Sequence, residues 1–201
     1  MIDAYHLRYE IEYLEEKAGD IPTRILPGTM DAYYTRYFVL TKIEGFFNQF
    51  SLVQVADLKH RRVTTMLNFF GNKVFYAGET GELPAGVARP ERLKCRRTGD
   101  YEVIGGLRSE RMEVEKGDEQ FNIYCTQDFS VRRPNISTPY SMVDDPLTDF
   151  RIQLSVLKMH LRCSGMVYGS IETKMFDIPE DYRPVDRASM EEIINSLFTK
   201  D

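Results

Sequence analysis

Three histidines, His6, His60 and His160, are the first residues to test for chemistry. Each lies among strand-like residues, with no second metal-type ligand at helical or hairpin spacing. Surface or strand-edge positions are therefore expected, with no metal ligands. No GxSxG, HExxH, P-loop or GxGxxG element is present, and none of the common cofactor motifs appears. Gly105-Gly106 and the stretch Gly165 to Gly169 lack the strand-to-helix context of a phosphate cradle. Carboxylates cluster at Glu12/Glu15/Glu16, at Asp144-Asp145/Asp149 and at Glu180-Asp181. Paired acids can hydrolyse glycosides or bind Ca²⁺. Here the first group ends a strand and the last follows a proline-bounded turn, which suits solvated loop charge. The three cysteines, Cys95, Cys125 and Cys163, form no CxxC. Cys125 and Cys163 fall on the apolar side of alternating strands, as buried free thiols do. One disulfide remains open to them in an oxidising compartment.

The remaining signal is aromatic. Phe46-Phe47 and Phe69-Phe70 are adjacent pairs, with Phe50 nearby. In a strand, one member of each pair must point away from the other. The second set is then exposed, unless it lines a cavity or is capped by loops. A concave apolar surface is how β-rich carriers hold lipid-like ligands. Candidate lining residues are Tyr34, Phe38, Phe46, Phe47, Phe50, Phe69 and Phe70.

The elements that would position them are mostly strands. Met112 and Val114, then Phe121, Ile123 and Cys125, alternate with polar residues across Lys116-Gly117-Asp118-Glu119, which is the pattern of a β-hairpin. Tyr5, Leu7, Tyr9, Ile11 and Tyr13 form one face of a first strand. The run from Met30 to Glu44 reads as one strand and Phe50 to Val55 as another. Val63 to Phe70 and Lys73 to Tyr76 are expected to pair across Gly71-Asn72. Residues 78–90 and 132–146 read as long irregular loops, the first of them exposed. Phe150 to Cys163 returns to strand character with a turn or bulge near Leu157-Lys158, and Met166 to Phe176 is a further strand. Near the end, Ser189 and Glu192 form a capping box. Met190, Ile193, Ile194, Leu197 and Phe198 make one apolar helical stripe, expected to pack on the sheet. The result is eight to ten mainly antiparallel strands and one helix: a mostly β, α+β domain spanning residues 1–201.

A net charge of −5 over 201 residues argues against a nucleic-acid partner. No apolar run approaches the ~20 residues of a membrane span. The strand pattern begins at once, which suits either a complete cytoplasmic protein or a mature form without its leader.

Thr98 to Glu115 (TGDYEVIGGLRSERMEVE), Asn122 to Phe129 (NIYCTQDF) and Phe176 to Asp186 (FDIPEDYRPVD) together resemble a family of uncharacterised bacterial cell-envelope proteins. The strands from Met30 to Ala77, with the turn Gly71-Asn72-Lys73, are similar to that family's earlier region. Ser109 stands where the family often has Cys, and only one strong helix is evident. The resemblance implies a LolA/LolB-like fold: a strongly curved antiparallel half-barrel with helix packed on it. It also implies a periplasmic or outer-membrane location. It carries over no catalytic residues and no cofactor. The leading expectation is thus a non-enzymatic envelope protein that binds a lipid, a lipoprotein acyl chain or another hydrophobic ligand. The alternative is an interaction or structural module with a filled core, using loops 78–90 and 132–146. A loop-carboxylate hydrolase comes third.

Overall fold

The computed structural model describes residues 1–199. In chain order the strands are β1 (Ile2–Tyr13), β2 (Lys17–Ala18), β3 (Ile21–Pro22), β4 (Thr29–Tyr34), β5 (Phe38–Gly45), β6 (Phe50–Asp57) and β7 (Arg62–Phe69). They continue with β8 (Asn72–Ala77), β9 (Leu93–Ile104), β10 (Leu107–Lys116), β11 (Glu119–Thr126), β12 (Leu147–Leu154), β13 (Leu157–Ile171) and β14 (Arg183–Pro184). One α-helix is found among the described residues, α1 (Arg187–Ser196), with single 3₁₀ turns at Thr23–Ile25 and Thr173–Phe176.

Twelve strands form one sheet in the order β14-β8-β7-β6-β5-β4-β1-β13-β12-β11-β10-β9, and β2 pairs with β3. All neighbours are antiparallel except β14 and β8. The expected mostly β chain with a terminal helix is what is observed. The strand order is open, ending at β14 and β9, so no barrel closes. β1 lies in its middle, and its alternating face buries Leu7, Tyr9 and Ile11. The chain thus folds as two meanders, one on each side of its first strand.

Several local expectations are corrected. Met30 to Glu44 is two strands, because the Thr35 hydroxyl accepts from the backbone N–H of Phe38 (2.9 Å) and donates to the Phe38 carbonyl, closing a tight turn. The β7–β8 turn is Phe70-Gly71, one residue earlier than Gly71-Asn72, with both residues at positive φ (49° and 86°). The β12–β13 turn is Ser155-Val156, and β13 then runs unbroken to Ile171 with Ser164 bulged opposite Arg8 and Tyr9. Residues 173–176 form a 3₁₀ turn in place of strand. The loop at 78–90 is not simply exposed: Ala85 and Val87 are buried, and Val87 bridges to Leu154. Loop 132–146 likewise buries Asn135, Tyr140 and Val143. The Asn135 amide donates to the carbonyls of Val143 (2.7 Å) and Asp145 (2.9 Å), so Asn135 ties this loop together.

The helix is capped by Asp186, whose carboxylate accepts from the Ser189 N–H at 2.8 Å, and it begins before the expected capping box. Its stripe docks as expected. Met190, Ile194 and Phe198 are buried in the main core with Leu67 and Val74. On the opposite face of the β4–β8 meander, Leu40, Val55 and Met66 form a second cluster, covered by Met175, Phe176 and Tyr182. The chain therefore crosses one face after β13, rounds the sheet edge as β14, and returns on the other face as α1.

The β9–β10 hairpin gives a stability test. Gly105 and Gly106 are both at positive φ, but a Cβ on Gly105 would lie 2.7 Å from the Cys163 sulfur and 3.0 Å from backbone atoms of β13. A Cβ on Gly106 would meet nothing. Gly105→Ala is expected to cost about 3 kcal/mol, from strain plus overpacking, and Gly106→Ala about 1 kcal/mol. Urea unfolding of the two variants would show the difference, and equal costs would mean the hairpin does not pack on β13.

Candidate functional site

The aromatic residues gather at two adjacent hairpin tips. In the β5–β6 tip, Phe46, Phe47 and Asn48 all take positive φ (53°, 54° and 66°), and the Gln49 N–H donates to the Phe46 carbonyl. The β7–β8 tip holds Phe70, also left-handed, and the Phe70 N–H donates to the Gln49 carbonyl at 2.7 Å, tying one tip to the other. Left-handed backbone at bulky residues is costly, and such strain is concentrated at functional sites. Phe69 and Phe70 meet edge to face at 4.8 Å between ring centres, and Phe46 and Phe50 at 6.4 Å.

Beneath these tips lies a cavity of about 190 Å³. Phe46, Phe50, Phe69 and Phe70 form its aromatic side. Ile43, Leu52 and Leu67 form the floor, and Leu154, Leu157 and Met159 the facing wall. Ile194, Leu197 and Phe198 close one side from the end of the helix. Ile25, Leu26 and Pro27 close another. That loop is anchored by the Tyr13 hydroxyl, which donates to the Pro27 carbonyl at 2.5 Å, and burial pushes the Tyr13 phenol up to about 12. The lining side chains are apolar apart from that tyrosine, so the space can hold hydrocarbon and offers little to water or ions.

Four of the seven candidate residues thus share one cavity, and three lie elsewhere. Phe47 points into solvent, fully exposed. Phe38 stacks on Phe176 at 5.1 Å in the second cluster, on the opposite face of the sheet. Tyr34 is buried in the main core, where the Tyr9 hydroxyl donates to the Leu147 carbonyl (2.6 Å) and accepts from the Tyr34 hydroxyl (3.2 Å). Strand alternation does not reveal the loop and helix walls of the cavity. The helical stripe was the one available signal for Leu197 and Phe198.

Most of the polar candidates are held in ion pairs. His6 meets Asp31 at 2.8 Å and His60 meets Asp57 at 2.6 Å. His160 lies between Glu12 and the buried Asp149, whose second oxygen takes Arg162. Asp145 bonds Arg97, and Asp181 bonds Lys73. The Arg162 guanidinium holds Glu102 below the usual carboxylate range, the opposite of what a general acid needs. Among the described residues no group of three His, Cys, Asp or Glu side chains is placed to hold a metal. All three cysteines are free, and burial raises the Cys125 thiol to about 11.

No helix among the described residues is long and apolar enough to cross a membrane. No protein-family model and no curated protein matches the chain. A solved structure of PNGF-II in a C2 space group superposes on 96% of this chain with a TM-score of 0.57 at 10% identity. The chain spans 32% of that protein's length, and the likeness is one of fold alone.

Proposed function

We propose that the protein is a non-enzymatic binder of a hydrophobic ligand, acting in the cell envelope as the family resemblance implies. The observation that carries this reading is the apolar cavity of about 190 Å³ beneath the strained aromatic tips. An engineered apolar cavity of ~150 Å³ stays dry and takes up benzene, so this space accepts a ring or a length of acyl chain. Each methylene moved from water into it contributes ~0.8 kcal/mol. The half-barrel shape belongs to the same reading. Its support is that β6 and β13 line one cavity although β5, β4 and β1 separate them in the sheet. A partner surface on loops 78–90 and 132–146 has less support, since both loops bury apolar residues in the core.

The test uses protein purified without detergent, titrated with 1-dodecanol and with an apolar fluorescent dye. Both are expected to bind and to compete with each other. Ile43→Trp, which fills the cavity from its floor, is expected to weaken both at least tenfold while leaving the unfolding midpoint unchanged or raised. Absence of binding by the parent protein, or unchanged binding by Ile43→Trp, would remove the cavity as the site.

A further inference from the structure

Beyond Met159 lies a second cavity, of about 220 Å³, with a different character. Its floor is apolar, with Phe121, Tyr140 and Ile152, while four cations, Arg89, Lys116, Arg151 and Lys158, and one carboxylate, Glu119, stand around it. A small third space of about 50 Å³ shares Ile43, Leu52 and Leu154 with the first cavity and Ile152 with the second. Met159 borders all three. A thioether on an unbranched chain moves aside more readily than a branched or aromatic side chain. Alone, the first cavity is smaller than the ~300 Å³ at which ligand pockets usually begin, whereas the three joined exceed it.

The charge at this second mouth opposes that of the whole protein, whose net charge is −5. Lys158 is paired with Glu15 at 2.8 Å, and Lys116 stands 3.9 Å from Glu119. Arg89 and Arg151 have no carboxylate partner among the described residues, and the Arg151 guanidinium lies 5.1 Å from the centre of the Phe121 ring. Guanidinium forks match carboxylate and phosphate oxygens two at a time. Resting on the hydrophobic-ligand reading, we infer that the occupant is a single-chain amphiphile with an anionic head. Its head sits among Arg89, Arg151, Lys116 and Lys158, and its tail passes Met159 into the cavity under the aromatic tips.

Calorimetric titration of the whole chain with dodecanoate, dodecyl phosphate and 1-dodecanol, below their micelle concentrations, tests this. The two anions are expected to bind at least tenfold more tightly than the alcohol. The double variant Arg89→Gln/Arg151→Gln alters two exposed side chains and is expected to bring the anions down to the alcohol's affinity without changing the alcohol. Tighter dodecanoate than dodecyl phosphate would identify a free fatty acid as the natural class, and the reverse order a phospholipid-derived chain. Ile43→Trp should weaken dodecanoate as well as dodecanol. If dodecanol matches the anions, or the double variant changes nothing, the proposed head site is overturned while the apolar cavity stands. If Ile43→Trp weakens dodecanol but leaves dodecanoate untouched, the anion's tail does not enter that cavity and the amphiphile proposal falls. If no probe binds, the cavity reading itself falls.

Discussion

Replacing Met190 with aspartate is expected to cost about 5 kcal/mol and to release the C-terminal helix. Met190 is completely buried on the inner face of α1. Truncating a buried methionine costs ~2–5 kcal/mol, and a carboxylate with no partner in the same place adds its desolvation. The helix has ten residues, too few to persist in water without its docked face. Because Ile194, Leu197 and Phe198 close one side of the cavity, its release also opens the candidate binding site. Urea unfolding and limited proteolysis would follow both effects, with the exposed Glu192→Ala as a control expected within half a kcal/mol of the parent. A Met190→Asp protein that kept its unfolding midpoint, and its resistance to cleavage after Asp186, would mean that α1 is not part of the core.

Much of the strand pattern is legible in the sequence, because one buried face imposes period-two alternation. β1 and the β10–β11 hairpin, with its turn between Lys116 and Glu119, follow it closely. The helical stripe is legible for the same kind of reason. What alternation cannot carry is parity across an unrecognised turn. Read as one strand, Met30 to Glu44 places Tyr34, Phe38 and Leu40 on one face. The turn at Thr35 pairs Tyr34 with Val39 instead, so Phe38 and Leu40 go to the opposite side of the sheet. Tyr34 and Phe38 thereby part company, and neither reaches the cavity. The Phe46, Phe50, Phe69 and Phe70 cluster is legible as an aromatic excess. Its assembly depends on the pairing Phe50 with Phe69, which joins distant turns through strand register. The second mouth is the least legible part. Arg89, Lys116, Arg151 and Lys158 are spread along about a third of the chain, and each alone reads as ordinary solvated charge.

Stability is expected to fall steeply above about pH 10, and buried tyrosines are the reason. Burial raises the Tyr34 phenol to about 12, and burial, reinforced by Tyr34, pushes Tyr9 well above its ordinary value. Both groups hold their protons longer in the folded chain than in the unfolded one. Their contribution is therefore complete below the unfolded value near 10 and is lost as pH rises through the folded values. A shift of about two units at Tyr34 corresponds to about 3 kcal/mol, with Tyr9 adding to it. The unfolding free energy should be level from about pH 7 to 8.5, begin to decline as the buried Cys125 thiol adds its own loss, and drop by several kcal/mol by about pH 11.5, with tyrosinate absorbance rising in the upper part of that interval. Tyr34→Phe should flatten that slope, and an unchanged slope would place the alkaline loss elsewhere. The consequence reaches the candidate site through the chain of bonds itself. Tyr34 donates to Tyr9 and Tyr9 to the Leu147 carbonyl, which links β4, β1 and β12. Leu154, at the far end of β12, lines the cavity wall that faces β6 and β7. Ionising the tyrosine pair removes side-chain hydrogen bonds that reinforce the ladders joining these strands, so dodecanol should leave the cavity over the same pH interval in which stability is lost.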